Sequence, residues 1–348
     1  HAGALTAMPF ADLQLPLRSM SAPLPMWHAQ VDAAQWSTLA QAMSQEAGRL
    51  VTLWGSHAGS RASVHAAFAT PEGLVWAELP LAPGATIYPD LAALFACATR
   101  LQRAVADMNG LQAEGAQDQR RWLDHGLWSD PTGPRTPPLA PDPTGTSAMG
   151  APPGTLPAEY PFVRVEGDGV HEIAVGPVHA GIIEPGHFRF SVVGEKVLRL
   201  EQHLGYKHKG IEHRFTQLPA LQAHRLAGRV SGDSTVAFAW AFCMALESAC
   251  GTAVPARALW LRALMLERER VANHLGDLGA LGNDAAFAFG LAQFSRLRED
   301  WQRLSMQALG HRFMMDAVLP GGVATDLNAA LRDEIRLQCD SVERELRR

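Results

Sequence analysis

Ten of the chain's 23 prolines fall between Ser129 and Pro161, mixed with Gly, Ser and Thr. Proline fixes φ and removes a backbone donor, so this run excludes a helix or a central strand. It also cannot bury enough apolar surface to order itself, which makes it a linker or an extended wrapping arm. The rest of the 348 residues then divides into a first domain over 1–128 and a second over 162–348, with 129–161 between. With 47% apolar and 19% charged residues, both halves have material for a generous interior.

A formal net charge of -5 gives no electrostatic reason to expect nucleic acid as a partner. The four cysteines, Cys97, Cys243, Cys250 and Cys339, form no Cys-x-x-Cys pair, which argues against a disulfide framework or a cysteine metal site. Cys243 and Cys250 are expected as two buried small hydrophobes on one helix. The first residue is His, not Met, and no signal peptide opens the chain, so it reads as a trimmed piece of a longer protein. Val236–Val254 is almost wholly apolar, but it carries Glu247 and lacks flanking charge clusters. It reads as a fully buried helix, not a membrane span.

In the first domain, periodicity predicts a helix over Ala33–Glu46 and strands over Arg49–Trp54, Ala62–Phe68 and Leu74–Leu79. Thr70-Pro71-Glu72-Gly73 has the chemistry of a tight turn, so the last two strands should form a hairpin. Helical spacing follows over Asp90–Met108, with Asp90 placed to cap it, and Gly115–Trp128 is a charged loop. The second domain opens with strand signals at Phe162–Val165, Glu172–Val175, His187–Val193 and Val197–Leu200, the last pair joined at Gly194-Glu195. Helices follow over Thr235–Ala249 (capped by Asp233 or Ser234), Arg257–Leu278, Ala285–Leu309 and from Ala330, with Pro320-Gly321-Gly322 as a break. The fold class is α+β: a small α+β domain, the Pro-rich segment, then a mainly helical domain with an N-terminal β-hairpin.

Several constellations invite chemistry. His171, His179, His187, His203, His208 and His213 are regularly spaced, yet gaps of five rotate side chains off a shared helical face. Polar pocket lining or surface hydrogen bonding suits them better than metal ligation. Glu267, Arg270 and His274 share one helix face, either solvated or buried as an ion-paired surface. Gly228–Ser234, Gly-Arg-Val-Ser-Gly-Asp-Ser, offers small residues around Ser231, Asp233 and Ser234. No Gly-x-Ser-x-Gly elbow surrounds them, so a hydrolase triad is not the reading.

These stretches fall in a familiar order: Gly176-Pro177-Val178-His179, Gly186-His187-Phe188-Arg189, Leu204–Glu212, Arg229-Val230, Pro255–Arg262, Glu267–His274, and Pro320–Val323 with Asp326-Leu327. Over Val175–Leu327 the chain closely resembles the large subunit of energy-converting (group 4, formate hydrogenlyase-type) NiFe hydrogenases. It resembles equally the quinone-site (D) subunit of respiratory complex I. The first domain is similar to the C subunit of complex I, which is fused ahead of the large subunit in formate hydrogenlyase-type enzymes. Arg103-x-Val105-x-Asp107-Met108-x-Gly110, Asp118-x-Arg120-Arg121, His125 and Trp128 carry that likeness, while Gln102 and Ala104 replace the family's acidic residues.

The resemblance implies nickel held by Arg-x-Cys-Gly-x-Cys, but Ser231 and Ser234 stand at both cysteine positions. A hydroxyl is no thiolate for a soft metal. The family's second cysteine pair would lie past Arg348. Gap-free counting from Tyr206 puts the family's quinone-contacting tyrosine at Gly232, and His179 or His187 is the nearest candidate for its second contact. The implied cleft would be lined by His187, Arg229 and Asp233 as proton- or quinone-contacting groups, with His179, Ser231, Gly232 and Ser234 beside them. The expectation is thus a nickel-free, hydrogenase-like subunit without a metal of its own, with room for a quinone, its own catalytic centre degenerate. Its partners would be an iron–sulfur subunit like the B subunit of complex I, which carries the cluster, and antiporter-like membrane-arm subunits. It would sit peripherally on the cytoplasmic side of the inner membrane. The alternative is a non-catalytic scaffold of such a complex, with an active NiFe hydrogenase behind both.

Overall fold

The computed structural model describes residues 15–126, 128, 139, 160–178 and 184–347. The chain divides into two compact units, one running to His213 and one from Arg214 onward that also includes Ser21–Pro23. Helices and strands mix as an α+β protein.

The first unit begins with β1 (Arg18–Ser19), β2 (Met26–Gln30), α1 (Ala33–Gln45), β3 (Arg49–Ala58), β4 (Arg61–Ala69) and β5 (Leu74–Pro80). The five strands form one sheet in the order β1-β2-β5-β4-β3, with β2 parallel to β5 and the other neighbours antiparallel. Alternation decides which face is dry: Ala62, Val64, Ala66 and Phe68 of β4 point inward. They meet Trp36, Leu39, Ala40 and Met43, spaced as one stripe of α1. A capping box fixes the start of α1, where Asp32 Oδ1 accepts from Gln35 N at 2.8 Å and Asp32 N donates to Gln35 Oε1 at 3.1 Å. The Thr70–Gly73 turn joins β4 to β5 as expected. Its glycine is required: φ is 152°, and a Cβ there would lie 2.2 Å from Pro25 O.

Then come β6 (Ile87–Pro89), α2 (Ala98–Asn109) and β7 (Gln112–Glu114), β6 pairing in parallel with β7. The helix expected from Asp90 begins only at Ala98. Asp90 Oδ1 is taken by Ala92 N at 2.8 Å and Gln102 Nε2 at 2.6 Å, so it closes a turn ahead of the helix. The unit continues beyond the Pro-rich segment into a three-stranded antiparallel sheet of β8 (His171–Val175), β9 (His187–Val193) and β10 (Lys196–His203), ordered β10-β9-β8. Phe162–Val165 is not a strand. Its Val163 N donates to the Glu201 carboxylate at 2.6 Å, and a side chain thus replaces a ladder partner.

A short helix α3 (Ile211–Phe215) spans the division, and the second unit is helical: α4 (Ala220–Ala227), α5 (Thr235–Cys250), α6 (Ala256–Asp284), α7 (Ala288–Leu309) and α8 (Ala329–Leu346). Pro320 and Gly321 turn the small hairpin of β11 (Val318–Leu319) and β12 (Gly322–Val323). The core joins Val236, Ala239 and Cys243 of α5 to Leu261 and Met265 of α6, Ala308 and Leu309 of α7 and Ile335 of α8. α5 is not fully buried as its composition suggests. Only Thr235, Val236, Ala239, Cys243 and Glu247 face inward, Phe238 is exposed, and Cys250 is exposed where a buried thiol was expected. Among the described residues no helix is long and apolar enough to cross a membrane. Arg262, fully buried on α6, donates to both Glu247 oxygens at 3.0 and 2.6 Å and to Leu319 O and Gly322 O at 2.6 and 3.1 Å. One guanidinium thereby ties α5, α6 and the hairpin together.

Candidate functional site

The loop between α4 and α5 carries Arg229, Ser231, Gly232, Asp233 and Ser234 on the second unit. Arg229 leaves α4 and is fixed at once: Nη1 and Nη2 donate to Asp316 Oδ1 and Oδ2 at 2.6 and 2.7 Å, and Nη1 also to Arg225 O at 2.6 Å. The guanidinium holds the Asp316 carboxyl below the usual aspartate range against partial burial, with Arg225 and His224 adding to it. Asp316 itself sits at φ 61°, a left-handed position that aspartate tolerates.

Ser231 is extended, and Gly232–Ser234 form a single 3-10 turn. Ser231 Oγ donates to Asp233 Oδ1 at 2.5 Å, while the Asp233 carbonyl accepts from Asn273 Nδ2 at 2.8 Å. The Asp233 side chain is otherwise exposed to solvent, and around Gly232 the space where a side chain would project is open. Ser234 occupies the N-cap position of α5, yet neither its hydroxyl nor the Asp233 carboxylate caps the helix. Glu269 of α6 does so, accepting from Val236 N at 2.6 Å and Ala237 N at 3.1 Å. Burial pushes the Glu269 carboxyl up, the two backbone bonds pull it down, and the Asp233 charge adds to the rise, leaving it raised.

Glu269 lies on the face opposite the one anticipated. Glu267 and Arg270 pair at 3.3 Å but are 62% and 53% exposed, so theirs is the solvated face. Arg268, Glu269, Ala272 and Leu275 point inward. The run Glu267-Arg268-Glu269-Arg270 is charged on every side, so hydropathy carries no phase; the apolar Ala272 and Leu275, counted back at helical spacing, do.

His187 belongs to the first unit, at the start of β9. Nδ1 donates to Gly176 O at 2.9 Å, and Nε2 accepts from Arg189 Nε at 3.1 Å, Arg189 being held in turn by Glu172 at 2.6 Å. Arginine only donates, so this tautomer follows from the network, and both ring nitrogens are engaged. His179 lies outside the described residues. Of the other histidines, His203 is buried between the rings of His125 and Tyr160, at 4.2 and 4.1 Å, and burial with the neighbouring cations lowers it to about 4. His208 packs on Trp128 at 4.8 Å. Among the described residues no group of three His, Cys, Asp or Glu is placed to hold a metal.

Ser231 and Ser234 do not fit a nickel–thiolate centre. Their donors are neutral hydroxyls, and the Ser231 hydroxyl is already committed to Asp233.

Comparison with known proteins adds relatives. The family described as respiratory-chain NADH dehydrogenase, 30 Kd subunit, matches residues 29–142. Hydrogenase-4 component G of Escherichia coli (strain K12) is 34% identical over 255 residues, 71% of this chain and 43% of that one. Formate hydrogenlyase subunit 5 of the same organism is 33% identical over 264 residues, 75% of this chain and 45% of that one. The NADH-quinone oxidoreductase D subunit of Granulibacter bethesdensis (strain ATCC BAA-1260 / CGDNIH1) is 32% identical over 165 residues, 47% of this chain and 41% of that one. The chain thus spans less than half the length of these relatives.

Proposed function

Because the chain belongs to the family that unites the large subunits of energy-converting hydrogenases with the C and D subunits of complex I, we propose that it serves in a membrane-associated oxidoreductase complex as a nickel-free subunit. The observation that carries this is a pair of hydroxyls, Ser231 and Ser234, where the family's nickel-binding thiolates belong, the first of them already bonded to Asp233 at 2.5 Å. In that complex the chain packs against an iron–sulfur subunit and antiporter-like membrane subunits, peripherally on the cytoplasmic side. Its contribution is the loop of Arg229–Ser234 as a quinone- or proton-coupling cleft. Asp233 offers an exposed carboxylate, Ser231 orients it, and Arg229 is a fixed cation whose geometry Asp316 and the Arg225 carbonyl set.

A second reading, the non-catalytic scaffold, is favoured by His187. With Gly176 O on one nitrogen and Arg189 on the other, that ring has no free position for a quinone.

The test is purification of the tagged complex from membranes, elemental analysis and labelling with an azido-quinone. The expected result is an iron–sulfur subunit in the eluate, nickel far below one per complex, and label on the peptide around Gly232. Stoichiometric nickel overturns the proposal; absent label with an intact complex leaves the scaffold.

A further inference from the structure

Arg268 and Glu269 are consecutive on α6, and both line a cavity of about 10 Å³ beneath the Asp233 turn, together with Asn273, Ser305 and Arg312. Arg268 is 1% exposed. Its Nε donates to Ser305 Oγ at 3.0 Å, its Nη2 to Trp301 O at 2.8 Å and Gln338 Oε1 at 3.0 Å, and its Cζ lies 4.2 Å from the Trp301 ring centre. Those partners are neutral, and among the described residues no carboxylate forms an ion pair with it. Nη1 is buried with no hydrogen-bond partner. Glu269, 5% exposed, brings its carboxylate to the same cavity from the start of α5, and Asp233 lines it from the turn above. A polar space of this size suits one water, which makes about three hydrogen bonds when buried.

We propose that the cavity holds one water that accepts from Arg268 Nη1 and donates to Glu269 and Asp233, and that Glu269 exchanges protons with Asp233 through it. This rests on reading the Asp233 loop as a proton-coupling cleft and names the inner proton carrier. In the step, the Asp233 carboxylic acid gives its proton to the water, and the water gives one to the Glu269 carboxylate. Charge and atoms balance, and no redox partner is needed. The protonated Glu269 keeps one oxygen as an acceptor for the α5 backbone and turns its O–H to the water. The charged groups around it are Asp233 on the turn, Arg312 after α7 and Arg268 on α6. The raised Glu269 carboxyl agrees with this role.

The test is pH-dependent infrared difference spectroscopy of the purified complex, in water and deuterium oxide. One carbonyl band of a buried protonated carboxylic acid is expected, abolished in E269Q and moved to lower pH in D233N, which removes the neighbouring negative charge. The exposed Asp233 turn tolerates D233N if E269Q proves unstable, so the midpoint shift alone is decisive. A full set of carboxyl bands in E269Q, or a midpoint indifferent to D233N, overturns the relay. A missing band beside normal quinone labelling refutes the relay alone; a normal band without labelling refutes only the quinone reading.

Discussion

Asp316 illustrates how a single side chain sets the loop. Both its oxygens are taken by Arg229, and both residues remain partly exposed, 37% and 43%. Solvent screening limits such a pair, and bidentate geometry puts it at the upper end of surface pairs, about 1 kcal/mol. The folded-state pKa of Asp316 is depressed, so the stabilisation is present above the ordinary aspartate value near pH 4 and is lost as pH falls through the lowered one. D316N, which keeps a residue tolerant of the left-handed backbone, should cost about 1 kcal/mol in urea unfolding at pH 7. The difference from wild type should vanish in acid. Gly232 allows a complementary test: its missing side chain would project into open space, so G232Y should fold normally and strengthen azido-quinone labelling if a tyrosine there makes the contact. Ser231, Gly232 and Asp233 were legible in the sequence because their spacing is local. Asp316 was not, since its partner is 87 positions away and no periodicity marks it.

At the scale of elements, α5 depends on groups outside itself. Its first turn has no local cap, and Glu269 supplies the acceptors from α6. Removing them in E269A leaves one buried and one half-buried N–H group unmet and should cost about 1–2 kcal/mol; E269Q, which retains an amide oxygen, should cost less. Glu269 titrates higher folded than unfolded, so the folded state binds the extra proton and stability declines as pH rises from about 4.3 through the raised value. That part of the pH dependence should be missing in E269Q. At the other end of α5, Glu247 meets Arg262 with exposures of 7% and 0%. R262M strands a buried carboxylate and should cost about 3–5 kcal/mol by chemical denaturation. The helices themselves were readable from apolar period, from Pro255 ahead of one and from Pro320-Gly321-Gly322 as the break before the last. The phase of the charged run 267–270 was not, because inward and outward residues carry the same charge types.

For the whole chain, composition marks residues 129–161, whereas packing divides the molecule at His213. The reason is a network of long-range polar contacts inside the first unit that no local pattern encodes. Arg120 Nη1 donates to Glu201 at 2.9 Å, Arg103 Nη2 to the Tyr160 hydroxyl at 2.6 Å, and His125 Nε2 to Leu204 O at 2.7 Å. At Gly205, with φ 96°, an added Cβ would lie 3.0 Å from His125 Nε2 and from the Leu123 and Trp122 carbonyl oxygens, so glycine is what fits there. Glu201 is only 7% exposed at the side chain and also accepts from Val163 N, so its charge is compensated on both sides. The Arg120–Glu201 and His125–Leu204 contacts join residues before the Pro-rich segment to residues after it without relying on the peptide that connects them. A protease site inserted between residues 140 and 155 should therefore give, after cleavage, two fragments that still co-elute in size-exclusion chromatography. Adding R120A, which leaves the Glu201 carboxylate short of its main cation, should release them at lower urea than the unsubstituted protein. Fragments that separate as soon as they are cut would mean that the connecting peptide, and not the Arg120–Glu201 and His125–Leu204 contacts, holds the three-stranded sheet in the first unit.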